Sequence, residues 1–185
     1  MSLVILDRDG VINRDADDYI RSTADWQPIS GSIEAISALS RGGYRVAVAT
    51  NQSGLGRGYF GREELEAIHD LLRRQVEDLG GEIAGIFYCP HLPGDGCQCR
   101  KPRTGLLSAI ERELGECARG AWFIGDSLRD LQAAQAFGCR AILVETGKGR
   151  ETRKILKSNP PGLDSPATIP VYENLLAASR ALLTS

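Results

Sequence analysis

Three aspartates in this chain follow short apolar runs, at positions where their carboxylates could bind a metal ion. Asp7 and Asp9 come after Leu3–Leu6, and Asp126 follows Ala121–Ile124 and one glycine. A short, continuous apolar run is typical of a β-strand that is buried on both faces. Carboxylates that meet at one edge of a sheet repel each other unless a cation lies between them, and oxygen ligands favour Mg²⁺. We therefore predict a Mg²⁺ site at these strand ends.

Polar groups that could bind a phosphate follow two further segments. Thr50 ends the strand-like run Tyr44–Thr50 and is followed by the polar residues Asn51, Gln52 and Ser53. Arg100-Lys101 stands directly before a proline and a predicted helix. A lysine and a hydroxyl beside a bound metal suit a phosphate held on that metal.

A second cluster of possible ligands lies in the loop 89–100, which carries three cysteines and one histidine. Three thiolates and one imidazole are enough for a closed tetrahedral zinc site, in which no position stays open for catalysis. We expect this zinc to be structural and to orient Arg100 and Lys101. A disulfide between Cys97 and Cys99 is the alternative, but the single residue between them would strain it. The predicted zinc ligands are Cys89, His91, Cys97 and Cys99.

The elements that must position these residues alternate between strands and helices. Apolar runs predict strands at Leu3–Leu6, Tyr44–Thr50, Ile83–Tyr88, Ala121–Ile124 and Arg140–Val144. Apolar residues at helical spacing predict helices at Ser32–Ser40, Arg62–Leu79, Gly105–Leu114, Leu128–Phe137 and Glu173–Leu183. This alternation predicts an α/β protein with a Rossmann-like, mostly parallel central sheet and helices on both faces. Two long connections, residues 7–31 and 89–102, leave carboxyl ends of strands and should lie over the ligand site.

The composition is that of an ordinary globular domain. A length of 185 residues suits one domain, 1–185, and a net charge of −2 gives no general attraction for nucleic acid or membranes. The apolar runs are too short to span a bilayer, and no secretory signal is visible. We expect a cytosolic monomer with a small-molecule substrate and no nucleic-acid or membrane partner. No long insertion indicates a separate cap domain, so the site should be open and shaped by loops.

Four motifs, in this order, resemble those of the haloacid dehalogenase (HAD) superfamily of phosphotransferases. DRDGVI follows the first predicted strand, TNQSG follows the second, RKP precedes a helix, and GDSLRD follows the fourth strand. An aspartate after a strand is by itself a common turn former, whereas four motifs in order are specific. The resemblance spans Leu3 to Gly147, which is most of the chain.

More narrowly, CPH…CQCRKP together with TNQSGLGRG is similar to the heptose-bisphosphate phosphatases. This resemblance implies Mg²⁺-dependent removal of the 7-phosphate of D-glycero-D-manno-heptose 1,7-bisphosphate, on the way to ADP-heptose and the lipopolysaccharide core. Histidinol-phosphate phosphatases share much of the pattern and are the alternative. A phospho-acceptor signalling module also combines Asp, Thr, Lys and Mg²⁺, but its acceptor is expected on a middle strand, whereas Asp7 follows the first.

The resemblance also implies roles for single residues. Asp7 corresponds to the nucleophile that forms an aspartyl-phosphate, and Asp9 to the acid that protonates the leaving oxygen and then activates water. Thr50 would donate a hydrogen bond to the phosphoryl group, and Lys101 would neutralise its charge. The implied Mg²⁺ ligands are Asp7, the backbone carbonyl of Asp9, and Asp126. The implied substrate contacts are Asp15, Tyr19, Asn51, Gln52, Ser53, Arg100 and Ser127.

Three features allow simpler interpretations, and one position departs from the pattern of the family. Ser127 and Asp130 have the spacing of a capping box, so Asp130 could cap a helix or belong to the metal shell. The segment Gly56–Gly61 has the form G-x-G-x-x-G, but we predict no dinucleotide site because it does not follow the first strand. His69 lies beside the apolar stripe of a predicted helix, and we expect a partly exposed packing residue. Ser127 also stands where some heptose phosphatases have a lysine that reaches the substrate.

Overall fold

The computed structural model describes residues 2–184, which contain six β-strands and seven α-helices. The strands are β1 (Ser2–Leu6), β2 (Tyr44–Asn51), β3 (Gly85–Cys89), β4 (Trp122–Gly125), β5 (Arg140–Val144) and β6 (Val171–Tyr172). The helices are α1 (Ser32–Arg41), α2 (Ser53–Gly56), α3 (Arg62–Asp78), α4 (Gly105–Leu114), α5 (Leu128–Phe137), α6 (Gly149–Leu156) and α7 (Leu175–Leu183). Two short 3₁₀ turns lie at Thr23–Asp25 and Pro166–Thr168.

The described strands form one parallel sheet in the order β3-β2-β1-β4-β5-β6. At the centre, Val4 of β1 pairs with Val46 of β2 and with Trp122 of β4. The chain builds the sheet outward from β1 in one direction and from β4 in the other. In open α/β sheets, ligands bind beyond the carboxyl ends of the strands at such a switch point. The predicted α/β fold with a parallel sheet is confirmed, and Asp7 and Asp126 follow the two strands at the switch point.

Apolar side chains fill both faces of the sheet. Val4 and Leu6 of β1 join a core with α1, α3 and α7, whereas Leu3 and Ile5 join a core with α4 and α5. Full burial of each such side chain contributes roughly 1.5–3 kcal/mol. Because β1 is packed on both faces, its carboxyl end presents Asp7 from a rigid support.

The predicted bounds of α4, α5 and β5 agree with the structure. The last helix begins at Leu175 rather than Glu173, because Asn174 caps it: the Asn174 Oδ1 accepts from the Ala177 N–H at 2.9 Å. Strand β3 is displaced to Gly85–Cys89, the residues that pair with β2. The sequence did not predict α6 or β6. Strand β6 has only two residues and is defined by its pairing with β5.

Two connections without long helices or strands lie at the carboxyl edge of the sheet. Residues 7–31 contain a single three-residue 3₁₀ turn, and residues 90–104 contain neither helix nor strand. Within the described part of the chain, no helix combines the length and the apolar character that crossing a bilayer requires.

Candidate functional site

Three carboxylates and one lysine, here called the carboxylate cluster, meet at the switch point: Asp7, Asp126, Asp130 and Lys101. One oxygen from each of the three aspartates lies within 4.8 Å of the other two. The aspartates are only 9%, 2% and 1% exposed. The Asp7 N–H donates to the Ile124 carbonyl at 3.0 Å, which extends the β1–β4 pairing by one residue. The chain thus brings three buried, oxygen-only ligands together, as Mg²⁺ prefers.

Lys101 is the cation of the carboxylate cluster. Its Nζ lies 2.9 Å from Asp7 Oδ1 and 2.7 Å from Asp130 Oδ1, and it donates to the Ala49 carbonyl at 2.8 Å. Asn51 holds the backbone of Lys101 from both sides. Its Oδ1 accepts from the Lys101 N–H at 3.0 Å, and its Nδ2 donates to the Lys101 carbonyl at 3.2 Å. This pair of hydrogen bonds connects the end of β2 to the loop that carries the lysine.

The charges of the carboxylate cluster leave room for a further cation. Burial and the neighbouring Asp130 raise the pKa of Asp7 to about 7, and burial together with Asp130 and Asp7 raises the pKa of Asp126 to about 8. Burial also opposes ionisation of Asp130, but the ammonium of Lys101 outweighs it and lowers the pKa of that carboxyl. One lysine therefore compensates one carboxylate well and leaves the other two short of positive charge. A Mg²⁺ ion supplies that charge, so the residues present fit this ion.

Two glycines make room for the carboxylate of Asp126. A Cβ atom at Gly10 or at Gly147 would lie 2.1 Å or 2.2 Å from Asp126 Oδ2, and both glycines have positive φ angles. The Lys148 N–H donates to Asp126 Oδ2 at 2.8 Å, and the Thr152 hydroxyl donates to the Asp126 carbonyl at 2.8 Å. The position of Asp126 is therefore set by the segment after β5 as well as by β4.

Asp9 accepts hydrogen bonds from three different side chains. Arg8 Nη2 donates to Oδ1 at 2.9 Å, Asn13 Nδ2 donates to Oδ1 at 2.8 Å, and Gln52 Nε2 donates to Oδ2 at 2.8 Å. Burial opposes ionisation, but the charge of Arg8 and the two amides outweigh it and lower the pKa of Asp9. Gln52 Nε2 also donates to Thr50 Oγ1 at 2.9 Å, which leaves the Thr50 O–H free to point elsewhere.

Asp130 caps helix α5, which confirms one of the two roles that the sequence left open; its place in the metal shell stays a prediction. Its Oδ2 accepts from the Ser127 N–H at 3.0 Å and from the Ser127 hydroxyl at 2.7 Å, as in a capping box at the start of α5. Its Oδ1 faces Lys101 and the other two aspartates. Capping thus uses one oxygen of the carboxylate and leaves the second for the cluster.

These groups border a cavity of about 320 Å³. Every predicted catalytic, substrate-binding and Mg²⁺-binding residue lines it: Asp7, Asp9, Asp15, Tyr19, Thr50, Asn51, Gln52, Ser53, Arg100, Lys101, Asp126 and Ser127. Three basic residues that sequence reasoning missed also line it: Arg57, Arg129 and Lys148. Arg57 lies six residues beyond the end of β2, and Arg129 and Lys148 lie four residues beyond the ends of β4 and β5. That shared position was the available signal. The Lys148 Nζ lies 3.4 Å from Asp15 Oδ2.

Tyr19 lines the cavity with its backbone in the left-handed region, at φ 66°. Its ring lies 5.4 Å, centroid to centroid, from the ring of Tyr59, over which the guanidinium of Arg21 lies at 4.8 Å. Tyr59 belongs to Gly56–Gly61, the G-x-G-x-x-G segment, which runs from the last residue of α2 to the residue before α3. This segment therefore supports the wall of the cavity through an aromatic contact.

The expectation for His69 is wrong. The side chain is 1% exposed, and its Nε2 lies 3.2 Å from Arg8 Nη1. Helical spacing placed His69 beside the apolar stripe of α3. It could not show that Arg8, a buried residue just after β1, lies against that helix.

The four residues predicted to bind zinc also converge; they are called the thiol cluster below: Cys89, His91, Cys97 and Cys99. Their ligand atoms all lie within 4.8 Å of one another, and all five cysteines of the chain are free. Cys89 Sγ lies 3.7 Å from Cys97 Sγ and 3.6 Å from His91 Nδ1. Zinc–sulfur bonds of about 2.3 Å in a tetrahedron separate the ligands by roughly 3.8 Å. The spacing and the donor set therefore fit zinc.

Comparisons with known proteins agree with this geometry. The family model described as HAD-hydrolase-like matches residues 98–166. The chain is 52% identical over 182 residues to the D-glycero-beta-D-manno-heptose-1,7-bisphosphate 7-phosphatase of Pseudomonas aeruginosa, covering 98% of each chain. It is 45% identical to the enzyme of the same name from Neisseria meningitidis serogroup A, covering 99% of this chain and 95% of the relative.

A solved structure gives the same result. The crystal structure of D,D-heptose 1,7-bisphosphate phosphatase from B. bronchiseptica, complexed with magnesium and phosphate, superposes with a TM-score of 0.91. Its sequence is 44% identical, and the match covers 100% of this chain and 99% of that one. With this identity over the full length, the chain belongs to the D-glycero-beta-D-manno-heptose-1,7-bisphosphate 7-phosphatase family of HAD-like hydrolases and is a phosphatase.

Proposed function

We propose that this enzyme hydrolyses the 7-phosphate of D-glycero-D-manno-heptose 1,7-bisphosphate, and that it prefers the β anomer. The observation that carries the proposal is the carboxylate cluster at the floor of the cavity, with Asp9 and Thr50 lining the same cavity. The anomer follows from the names of the full-length relatives. This reaction would contribute to ADP-heptose and lipopolysaccharide core biosynthesis.

In the proposed reaction, a carboxylate oxygen of Asp7 attacks phosphorus while the bond from phosphorus to the sugar oxygen breaks. Asp9 donates its proton to that oxygen as it leaves, and the products are an aspartyl-phosphate and the free hydroxyl of the sugar. Water then attacks phosphorus, Asp9 takes the proton, and phosphate leaves. The hydrogen bonds that lower the pKa of Asp9 favour the ionised form that this second step uses. Asp9 must therefore take up the proton for the first step when the substrate binds, because the negative charge of the phosphate raises the pKa of a nearby carboxyl.

Two further groups would contact the transferred phosphoryl group. Lys101 is the buried cation beside Asp7, and the Thr50 hydroxyl retains a proton to donate because Gln52 occupies one of its lone pairs. Asp7, Asp126 and the backbone carbonyl of Asp9 would hold Mg²⁺, with Asp130 in its shell. When bound, this ion supplies charge neutralisation for the phosphoryl oxygens and keeps the nucleophile ionised.

The rim of the cavity would hold the rest of the substrate. Asp15 and Tyr19 remain the predicted contacts for sugar hydroxyls, and Ser53, Arg100 and Ser127 for other polar groups. Both polar atoms of the Asn51 side-chain amide are hydrogen-bonded to the Lys101 backbone, and the Gln52 amide nitrogen donates to Asp9 and Thr50. Their contribution would therefore be chiefly to hold the residues that touch the phosphate.

The thiol cluster would hold a structural zinc ion that shapes the loop before Lys101. Three thiolates require a reducing compartment, which supports the proposed cytosolic location. The single domain over residues 1–185, the monomeric state and the lack of a nucleic-acid or membrane partner stay predictions.

A kinetic panel on the purified enzyme with Mg²⁺ tests the function. We expect the highest kcat/KM for the β anomer of the heptose bisphosphate, lower values for the α anomer, and far lower values for histidinol phosphate. A preference for histidinol phosphate would overturn the substrate assignment in favour of the alternative. A stable phosphoprotein without turnover would instead indicate the signalling module.

A further inference from the structure

Arg8 is the largest fully buried side chain of the described residues, with 0% exposure. A guanidinium cannot lose its charge in a protein, so a buried arginine must be paired and hydrogen-bonded. On one side, Nε and Nη2 lie 3.2 Å and 2.9 Å from Oδ1 of Asp9, and Nη2 also lies 3.2 Å from Oδ2. On the other side, Nη1 lies 3.2 Å from Nε2 of His69. Arg8 therefore connects the carboxylate of Asp9 to helix α3.

The chemistry of this contact determines the form of His69. Arginine has donors and no acceptor, so the Nε2 of His69 must accept the hydrogen bond with its lone pair. The ring is then neutral and carries its proton on Nδ1. Burial and the charge of Arg8 lower the pKa of His69 to about 3, which agrees with a neutral ring. The Tyr88 ring, whose centroid lies 5.9 Å away, packs beside the imidazole and restricts its position.

We propose that Arg8 and His69 are a buried positioning pair for Asp9, in which the neutral imidazole orients the guanidinium and the guanidinium orients the carboxylate. This inference rests on the proposed acid–base role of Asp9. Neither Arg8 nor His69 lines the cavity, so both act through Asp9 rather than on the substrate. Asp9 must face the leaving oxygen in one step and water in the next, and a fixed carboxylate serves both.

The positioning pair predicts a particular kinetic signature. A sugar alkoxide leaves well only when it is protonated, whereas a phenolate needs little help from an acid. Loss of the His69 acceptor should therefore reduce kcat for the heptose bisphosphate much more than kcat for 4-nitrophenyl phosphate. KM should change little, because the phosphate-binding groups remain in place.

The test compares His69→Leu with His69→Gln, whose side-chain carbonyl can accept from Arg8. We expect His69→Leu to lose about tenfold or more in kcat on the sugar phosphate, which is a part of what an acid–base group contributes. His69→Gln should recover most of that loss. Leu72→Ala, a buried change on the same helix, controls for destabilisation and should affect both substrates equally. Equal losses of His69→Leu on both substrates, or no rescue by Gln, would overturn the proposal.

A second measurement does not depend on whether the variants fold. The chain has only two histidines, so ¹⁵N-histidine labelling gives two imidazole signal sets. We expect the ring of His69 to stay neutral with its proton on Nδ1 from about pH 5 to pH 8, whereas zinc on Nδ1 of His91 would leave the proton of that ring on Nε2. A charged His69 ring, or a proton on Nε2 of His69, would contradict the pair. If wild type hydrolyses the heptose bisphosphate and Asp9→Asn shows the leaving-group asymmetry but His69→Leu does not, the positioning pair alone fails and the proposed function stands.

Discussion

The carboxylate cluster and the thiol cluster are supported very differently, because the first draws on distant segments of the chain and the second on the single stretch 89–99. Asp7 and Asp126 follow central strands, and Asp130 lies in the first turn of α5; all three are almost fully buried and accept hydrogen bonds from four segments of the fold. In the thiol cluster, Cys89 is buried at the end of β3, whereas His91 is exposed and Cys97 and Cys99 are partly exposed. Their loop, residues 90–104, has no helix or strand. The fold supports the carboxylate cluster, whereas the proposed zinc ion would supply much of the support of the thiol cluster.

This difference predicts different behaviour of the two ions. A site of two or three carboxylates with retained waters binds Mg²⁺ weakly and exchanges it readily. A cage of three thiolates and an imidazole binds zinc with a free energy that is also folding free energy for the loop. Substitutions in the carboxylate cluster should therefore abolish activity and leave the fold intact. Substitutions in the thiol cluster should lower the stability of the loop and reduce activity without abolishing it.

The largest expected effect is that of Asp7→Asn. A carboxamide does not attack phosphorus, so kcat should fall by more than about 10³-fold, which corresponds to a barrier increase of roughly 4 kcal/mol. The free energy of unfolding should change by less than about 2 kcal/mol, since the volume is kept. Steady-state kinetics and urea unfolding measure both. Asp18→Asn, an exposed change in the same connection, is the control. Turnover of Asp7→Asn within about tenfold of wild type would exclude the covalent mechanism.

Brief chelation should separate the two metals. Treatment with EDTA should abolish activity, and added Mg²⁺ should restore it at once, because the carboxylate cluster is formed without its ion. Zinc, measured by elemental analysis, should stay at about one per chain for a single four-ligand site. A protein that contains no zinc when purified under reducing conditions would contradict the assignment of the thiol cluster.

Cys99→Ser should have an intermediate effect. Loss of one thiolate should release zinc, lower the melting temperature, and misplace Arg100 and Lys101, so activity should fall by about tenfold or more, a barrier change of at least ~1.4 kcal/mol. Added Mg²⁺ should not rescue it. Cys117→Ser changes an exposed cysteine outside the thiol cluster and should leave zinc content, stability and turnover unchanged. Full activity of Cys99→Ser without zinc would show that the loop keeps its shape without the metal.

The pH dependence of stability should reveal the uncompensated charge of the carboxylate cluster. In the Mg²⁺-free protein, the folded-state pKa values of Asp7 and Asp126, about 7 and about 8, lie above the unfolded value of 3.8. The folded state then binds more protons, so the free energy of unfolding should fall as pH rises from about 6.5 to 8.5. His69, whose pKa falls from 6.5 to about 3 on folding, opposes this fall only at the low end of the range, where the unfolded imidazole is still partly protonated. Denaturant unfolding with and without Mg²⁺ measures this, and a fall that Mg²⁺ does not reverse at pH 8.5 would contradict it.

The smallest effect is expected for Ser127→Ala. The variant removes the hydroxyl of the N-cap residue of α5, which donates to Asp130 at 2.7 Å. We expect a loss of about 1 kcal/mol in the free energy of unfolding, as for other N-caps. Activity should fall only slightly, because the second Asp130 oxygen still faces Lys101. Ser22→Ala, at the similar capping box of an exposed 3₁₀ turn, should lower the free energy of unfolding by less. An equal loss at both sites would show that the hydrogen bond from Ser127 to Asp130 adds no stability.

The sequence alone determined the local features of this protein. Continuous apolar runs and helical spacing predicted β1, β5, α4 and α5 with the correct type and nearly the correct bounds. A strand buried on both faces leaves a continuous apolar run, and a helix buried on one face leaves apolar residues at helical spacing. Motif order predicted that the proposed catalytic, substrate-binding and Mg²⁺-binding residues would converge, and all of these line the cavity, together with three basic residues that the motifs did not indicate. Cysteine and histidine content predicted the thiol cluster, since soft ligands in one short loop have few other uses.

Only the tertiary structure decided the contacts between distant segments. Arg8 and His69 are 61 residues apart, and nothing in the spacing of either indicates the other. The hydrogen bond of Lys148 to Asp126 depends on the segment after β5 folding back over β4, and β6 exists only through its pairing with β5. Such contacts have no periodic signature, because they depend on how packed helices and strands are arranged relative to one another. The support of Asp9 was therefore visible only once α3 and β1 were packed together.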